Sequence, residues 1–256
     1  MTIEARLAYD LSGTVDCLMQ IEAAHVAGQT IMEESLRTTP VEGFDRIAGD
    51  VALGTRAWFA AEGRLEVSYD AVVEVTRPKV DLSALRARRA RTLNAEATPF
   101  LMASRYCHSD DFVPFVTSRF GDKGGGPLVQ AIRDWVHAEM DYVPGASDAR
   151  TTATDTFVSR QGVCRDYAHV VIAMCRAGGI PARTVSVYAP HVDPPDFHAV
   201  AEVYLDGAWH IVDATGMAGP DEVAIVGVGR DAADTSFLTM MGAGTLVEQS
   251  VKVTEG

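Results

Sequence analysis

Of the four cysteines in the chain, Cys164 occupies a position that favours nucleophilic chemistry. It follows Gly162 and Val163 and begins a nearly all-apolar run that ends near Ala177. Such a run predicts a helix buried on most faces, with Cys164 in its first turn. The free backbone N–H groups and the positive end of the helix dipole favour the thiolate there. Because the thiolate is the nucleophilic form of cysteine, Cys164 is a candidate for covalent catalysis.

The alternative interpretation is that Cys164 is a small apolar side chain that fills space in the core. Cys175 fits that interpretation, because it lies in the middle of the predicted helix among apolar neighbours. Along the helix axis Cys175 is roughly 16 Å from Cys164, which is too far for a disulfide. Together with Cys17 and Cys107, these residues are too sparse for a disulfide scaffold, which indicates a reducing compartment.

A catalytic cysteine needs a base, and the base needs a group that orients it. His198 begins the alternating segment HAVAEVYL, and Asp213 ends the next segment, WHIVD. The pair Asp206-Gly207 between them is typical of a two-residue hairpin turn. In the register set by that turn, Asp213 shares a face with His198 and is its diagonal neighbour, with Cα atoms roughly 7–8 Å apart. His210 falls on the other face, so the pattern favours a Cys164–His198–Asp213 set.

Two further histidines fit the role of base less well. His169 lies on the same predicted helix as Cys164 but points in another direction. His191 lies in a Pro-rich loop just before His198, and this loop is a candidate for substrate selection.

The elements that must position these residues fall into two parts. Residues 1–80 are predicted to form a β-domain, because segments 3–11, 15–23, 56–61 and 64–75 alternate between apolar and polar residues. Residues 81–126 are expected to be a helical and irregular connection. In the remainder, spacing and turn residues predict helices and strands. The helices span 127–143, 152–159 and 164–177, and the strands span 183–188, 199–205, 209–213 and 245–253.

The predicted fold class is therefore α+β. An N-terminal antiparallel β-domain precedes a core at 127–256 in which helices pack on an antiparallel sheet.

Composition excludes several classes of function. The 256 residues carry 22 basic and 35 acidic side chains, a net charge of −13, which disfavours nucleic acid as a partner. The one basic cluster reads as a solvated helix face and comprises Arg86, Arg88, Arg89 and Arg91. Neither a secretory signal nor a membrane span is evident, so we expect a cytoplasmic protein without a membrane partner. Metal-binding spacings and phosphate-binding glycine motifs are absent, so we expect no metal and no cofactor.

Three segments together resemble the bacterial transglutaminase-like superfamily. They are RQGVCRDYAH at 160–169, FHAVAEVY at 197–204 and WHIVDAT at 209–215. Two more segments, SRYCHSD at 104–110 and GRDAAD at 229–234, resemble the branch that carries an N-terminal β-domain. The resemblance implies a papain-like core with a Cys–His–Asp triad. Cys164 would be the nucleophile, His198 the general base and acid, and Asp213 the residue that orients the imidazole.

The resemblance also implies a reaction class. Enzymes of this family attack an amide carbonyl with a thiolate and form an acyl-thioester, which passes to water or to an amine. We therefore expect a peptidase, an amidase or an acyltransferase that acts on a peptide or another amide-containing substrate. The Cys164 backbone N–H is a natural oxyanion donor, and Tyr142 or Gln161 are candidates for the second donor. A non-catalytic binding or scaffold protein that keeps the fold is the alternative, and the substrate and oligomeric state stay open.

Overall fold

Six antiparallel strands form the N-terminal part of the computed structural model, which describes residues 1–256. They are β1 (Thr2–Leu11), β2 (Val15–Met19), β3 (Gln29–Thr38), β4 (Glu42–Ala48), β5 (Thr55–Ala61) and β6 (Arg64–Val75). Along β6 every second residue from Leu65 to Val73 is buried, while the residues between them are more exposed. The alternation predicted for 64–75 is therefore confirmed as a half-buried strand.

The six strands of this part are divided between two sheets. β6 pairs with β1 and β3, whereas β5 pairs with β2 and β4. The Glu62-Gly63 turn therefore crosses between the sheets, with Gly63 at a φ of +70°. Apolar side chains from both sheets form one core, so the two sheets pack face to face as a β-sandwich.

The second part contains four α-helices and a four-stranded sheet. Its elements are α1 (Ser109–Phe120), α2 (Gly125–Glu139), β7 (Asp141–Tyr142), α3 (Ala153–Ser159), β8 (Gln161–Gly162), α4 (Cys164–Ala177), β9 (Ala182–Tyr188), β10 (His198–Leu205), β11 (Ala208–Val212) and β12 (Ala224–Gly229). The antiparallel sheet has the order β11-β10-β9-β12, and β7 pairs in parallel with β8. Helices packed on this sheet, together with the sandwich, confirm the predicted α+β class.

Helix α4 lies at the centre of the second part. It packs against the other three helices and against β9 and β10. From Asp166 to Arg176 every residue is buried, which explains why the sequence of this helix is apolar on nearly all faces. The predicted bounds 164–177 are confirmed, so the N-terminus of α4 begins at Cys164.

The last two strands, β13 (Leu238–Met240) and β14 (Gly244–Thr254), return to the β-sandwich. β13 pairs with β2 and β14 pairs with β1, so the predicted strand at 245–253 exists but lies outside the core sheet. The expectation that all of 127–256 belongs to the core is corrected here, because β14 satisfies the hydrogen-bonding edge of β1. The other boundaries of the expected division, 1–80 and 81–126, stay a prediction.

The connecting segment differs in one respect from the sequence analysis. Residues 81–108 contain only short 3-10 turns, and the first α-helix begins at Ser109. The four arginines at 86, 88, 89 and 91 are exposed as expected, but none lies on an α-helix. The first three lie in irregular backbone, and Arg91 lies in the short 3-10 turn at Ala90–Thr92.

Candidate active site

Cys164 is the cysteine that is only partly buried, and the other three cysteine side chains are fully buried. Burial raises the pKa of Cys107 and of Cys175 to about 12, so both stay protonated and unreactive near neutral pH. At the start of α4, the Asp166 carboxylate accepts a hydrogen bond of 2.8 Å from the backbone N–H of Val163. This bond satisfies the N–H of Val163, the residue that immediately precedes the helix.

The hairpin of β10 and β11 has the register predicted from the Asp206-Gly207 turn. Leu205 faces Ala208, Tyr204 faces Trp209 and Val203 faces His210. As expected from that register, the His198 Nε2–H donates to the Asp213 Oδ2 at 3.1 Å. His210 instead contacts the carbonyl oxygen of Leu205 at 3.2 Å and lies on the other face. The structure therefore brings His198 and Asp213 together and keeps His210 away from them.

His198 and Asp213 form a buried ion pair, with side-chain exposures of 0% and 3%. Burial by itself lowers the pKa of His198. The hydrogen bonds to Asp213 and Cys164, together with the charges of these two residues, have the larger effect and raise the pKa to about 10. For Asp213, burial acts in the other direction and raises the pKa. The hydrogen bond to His198 and the charge of His198 outweigh burial, so the pKa of Asp213 lies below its ordinary value. At neutral pH the imidazole is therefore protonated and the carboxylate ionised.

The second ring nitrogen of His198 faces the cysteine. Nδ1 is buried and makes no hydrogen bond within the usual geometric limits, yet the Cys164 side chain is close enough to raise the pKa of the imidazole. The Cys164 Sγ lies 4.0 Å from the carbonyl oxygen of Phe197, the residue before His198. Cys164 therefore lies beside the imidazole, at the N-terminus of α4.

Residues after β11 hold the Asp213 carboxylate in place. Its Oδ1 accepts 2.8 Å hydrogen bonds from the backbone N–H and the hydroxyl of Thr215, and its Oδ2 accepts one of 3.0 Å from the Ala218 N–H. Thr215 and Ala218 are functional neighbours that were not predicted from the sequence. The Asp-x-Thr spacing is a local signal for a side-chain-to-backbone turn of this kind and could have identified Thr215.

Tyr142 and Gln161 were the two candidates for a second oxyanion donor. β7 pairs with β8, so Tyr142 lies opposite Gly162, two residues before Cys164. Burial and the charge of Cys164 raise the pKa of Tyr142, while the backbone N–H of Cys164 acts in the opposite direction. Tyr142 therefore lies near Cys164, whereas the Gln161 side chain is exposed to solvent.

His169 supports the core and does not contact the thiol. Its Nε2 accepts a hydrogen bond of 3.1 Å from the Ala232 N–H, and its ring stacks on Tyr106. Burial lowers the pKa of His169 to about 4, so the ring is neutral at pH 7. No group of three or more His, Cys, Asp or Glu side chains is arranged to hold a metal ion, and no helix is both long and apolar enough to cross a membrane.

Comparisons with known proteins identify the family of this chain. The family model of the transglutaminase-like superfamily matches residues 116–214, which include Cys164, His198 and Asp213. The crystal structure of a proposed cysteine protease from Cytophaga hutchinsonii superposes with a TM-score of 0.92 at 32% identity, over 98% of this chain and 88% of that chain. The chain belongs to the transglutaminase-like superfamily.

Sequence relatives extend the comparison. An uncharacterized protein of Mycobacterium tuberculosis is 29% identical over 197 residues, which are 66% of this chain and 62% of that protein. The kyphoscoliosis peptidase of Homo sapiens is 32% identical over 103 residues, 36% of this chain and 16% of that protein. The chain thus spans less than two thirds of the length of these curated relatives.

Proposed function

We propose that this protein cleaves or transfers an amide or isopeptide bond through an acyl-thioester on Cys164. The thiolate attacks the carbonyl carbon, and the resulting oxyanion is held by the Cys164 backbone N–H and the Tyr142 hydroxyl. The protonated Nδ1 of His198 gives its proton to the leaving amine, and the C–N bond breaks. Water or a second amine then attacks the thioester while His198 takes the proton from it, and the C–S bond breaks to release the Cys164 thiolate beside the protonated imidazole.

One observation carries this proposal. The sole partly exposed cysteine begins a buried helix, and the imidazole that faces it is bonded on its other nitrogen to a fixed carboxylate. In this arrangement Asp213 holds the ring orientation and stabilises the imidazolium, which is the role of the carboxylate in nucleophile–histidine–carboxylate triads generally.

A peptide-like substrate is the favoured class. The Cytophaga hutchinsonii protein is a proposed cysteine protease and the human relative is a peptidase, which supports a peptide bond as the target. The Pro-rich loop at 191–197 adjoins the thiol through Phe197, so it is the candidate for substrate selection. Four free cysteines support the expected cytoplasmic location.

Trapping the acyl-enzyme tests the proposal. The protein is incubated with a library of peptides and small amides, quenched in acid and analysed by mass spectrometry for an acyl adduct on Cys164. We expect an adduct on the parent protein and on His210→Ala, and none on Cys164→Ala or His198→Ala. His210→Ala is the matched control, because it removes a histidine of the same hairpin that does not face the thiol. An inert Cys164 across the library would favour the non-catalytic scaffold.

A further inference from the structure

Asp196 is the carboxylate of the Pro-rich loop that lies nearest in sequence to the catalytic histidine. It directly precedes Phe197, whose carbonyl oxygen lies 4.0 Å from the Cys164 Sγ, so the Asp196 side chain starts from backbone that adjoins the thiol. The charges of Asp196 and of Cys164 both raise the pKa of Tyr142, so both side chains lie in the neighbourhood of this phenol. A substrate amide that reaches the thiol therefore comes close to the Asp196 carboxylate.

The β-sandwich fixes the position of this carboxylate. The Asp196 Oδ1 accepts hydrogen bonds from the side-chain amide of Gln249 on β14 and, at 2.7 Å, from the backbone N–H of Phe197. The Phe197 ring packs against the core of the sandwich and stacks on Phe237, with 4.6 Å between ring centroids. The loop is thus attached to the sandwich through a hydrogen bond and an aromatic contact, which leave the Asp196 side chain little freedom.

The other carboxylate oxygen of Asp196 has no partner in the protein. Both hydrogen bonds go to Oδ1, whereas Oδ2 accepts none and is not among the buried atoms, so solvent or a ligand can reach it. The cationic side chain next to Cys164 in the sequence, Arg165, does not neutralise Asp196. Its Nη2 donates to the Ser147 hydroxyl at 3.0 Å and lies 3.2 Å from the Asp166 carboxylate.

A fixed carboxylate with one accessible oxygen is a suitable acceptor for a cation. Hydrogen bonds between an ammonium or guanidinium group and a carboxylate are stronger than those between neutral groups. Because Asp196 is already held in place by Gln249 and Phe197, such a bond would not require the carboxylate to be ordered first.

We propose that Asp196 selects substrates that carry a positive charge beside the amide under attack, such as the side chain of a lysine or arginine in a peptide. The ammonium or guanidinium group donates a hydrogen bond to the Asp196 Oδ2. This inference rests on the proposed function for the identity of the substrate, whereas the preference for a cation at the thiol is measurable without turnover.

Charged thiol reagents measure that preference directly. Cys164 is modified at pH 7 with cationic trimethylammonioethyl methanethiosulfonate or with anionic sulfonatoethyl methanethiosulfonate, and the rates are followed by mass spectrometry. Both reagents form a mixed disulfide with the thiolate and release methanesulfinate, so any change in thiolate fraction cancels in the ratio of the two rates. Asp196→Asn keeps the Oδ1 acceptor and should lower the cation-to-anion ratio by about threefold or more.

Two controls accompany this measurement. Asp193→Asn, the same change at an exposed carboxylate of the same loop, should lower the ratio by less than about twofold, because its charge is screened by solvent. Uncharged methyl methanethiosulfonate should modify Cys164 in the parent and in Asp196→Asn at rates within about twofold, because it carries no charge for Asp196 to attract or repel.

Paired peptides extend the test to substrates. The library for acyl-enzyme trapping contains each peptide with lysine beside the amide and again with norleucine, which has a side chain of similar length without the charge. We expect lysine to raise the yield of adduct by about tenfold or more in the parent, and Asp196→Asn to remove this preference.

Three results would overturn the proposal: an unchanged rate ratio in Asp196→Asn, an equal fall of the ratio in Asp193→Asn, or equal adduct yields from lysine and norleucine peptides. If no peptide forms an adduct on the parent, the proposed function fails, and the rate ratio by itself decides whether Asp196 selects for a cation.

Discussion

Thr215→Val removes one hydroxyl from the group that holds the Asp213 carboxylate. The hydroxyl lies 2.8 Å from each carboxylate oxygen and accepts a hydrogen bond of 3.2 Å from the Met217 N–H. A hydrogen bond to a charged group contributes about 1.5–3 kcal/mol net, so the free energy of unfolding should fall by about that amount. For a chain of this size the melting temperature should fall by about 3–12 °C. Urea unfolding and calorimetry on Cys164→Ala backgrounds measure both quantities without oxidation of the thiol.

The stabilisation that Thr215 contributes depends on pH, because it requires the ionised form of Asp213. The pKa of Asp213 is held below its ordinary value of 3.8, so the stabilisation by Thr215 is fully present above that pH and is lost as the pH falls through the depressed pKa. Thr154→Val is the matched control, since the Thr154 hydroxyl donates to Asp111 at 3.1 Å on the surface. It should change stability by less than about 0.5 kcal/mol. Equal effects of the two substitutions at pH 7 would refute the reasoning.

Three further predictions concern neighbouring groups. Tyr142→Phe should slow acyl-enzyme formation by about 10²–10³-fold. The rate of Cys164 alkylation by iodoacetamide should stay within about twofold of the parent rate, because alkylation forms no oxyanion. Equal slowing of both reactions would show that Tyr142 is not an oxyanion donor. The pKa of His198 is raised to about 10, so its stabilisation is present below about pH 6.5 and is lost as the pH rises through about 10. Urea unfolding should show that decline in the parent and not in His198→Gln. Glu202→Gln removes the charge partner that lies 2.7 Å from the buried Arg183 guanidinium, so the free energy of unfolding should fall by about 3–5 kcal/mol. Glu66→Gln, at an exposed ion pair, is the control and should lower it by less than about 1 kcal/mol.

Local patterns predicted the parts of this site that depend on neighbours in the sequence. The apolar run after Cys164 gave the bounds of α4, and the Asp206-Gly207 turn gave the register that puts Asp213 on the face of His198. Both depend on short-range geometry: the helix period and the two-residue hairpin. The proximity of Cys164 and His198 could be predicted only from the resemblance to a known family, because no local pattern relates the start of a helix to the start of a strand 34 residues later.

Long-range pairing is what the sequence could not supply. The alternation of β14 identifies a strand but not its partner, so its pairing with β1, more than 200 residues away, was missed. For the same reason the alternation of 56–61 and 64–75 does not show that β5 and β6, which flank one turn, belong to opposite sheets. A period-two pattern specifies which face is buried and leaves the neighbouring strand undetermined.

The pH dependence of Cys164 alkylation tests the central claim most directly. Iodoacetamide incorporation is followed by mass spectrometry from pH 5 to 9 for the parent, His198→Ala and His210→Ala. If Cys164 and His198 form a thiolate–imidazolium pair, the parent and His210→Ala should react selectively at Cys164 at pH 6. His198→Ala should then shift the midpoint upward toward about pH 8.5, where an ordinary thiol ionises. An unchanged profile in His198→Ala would contradict the account.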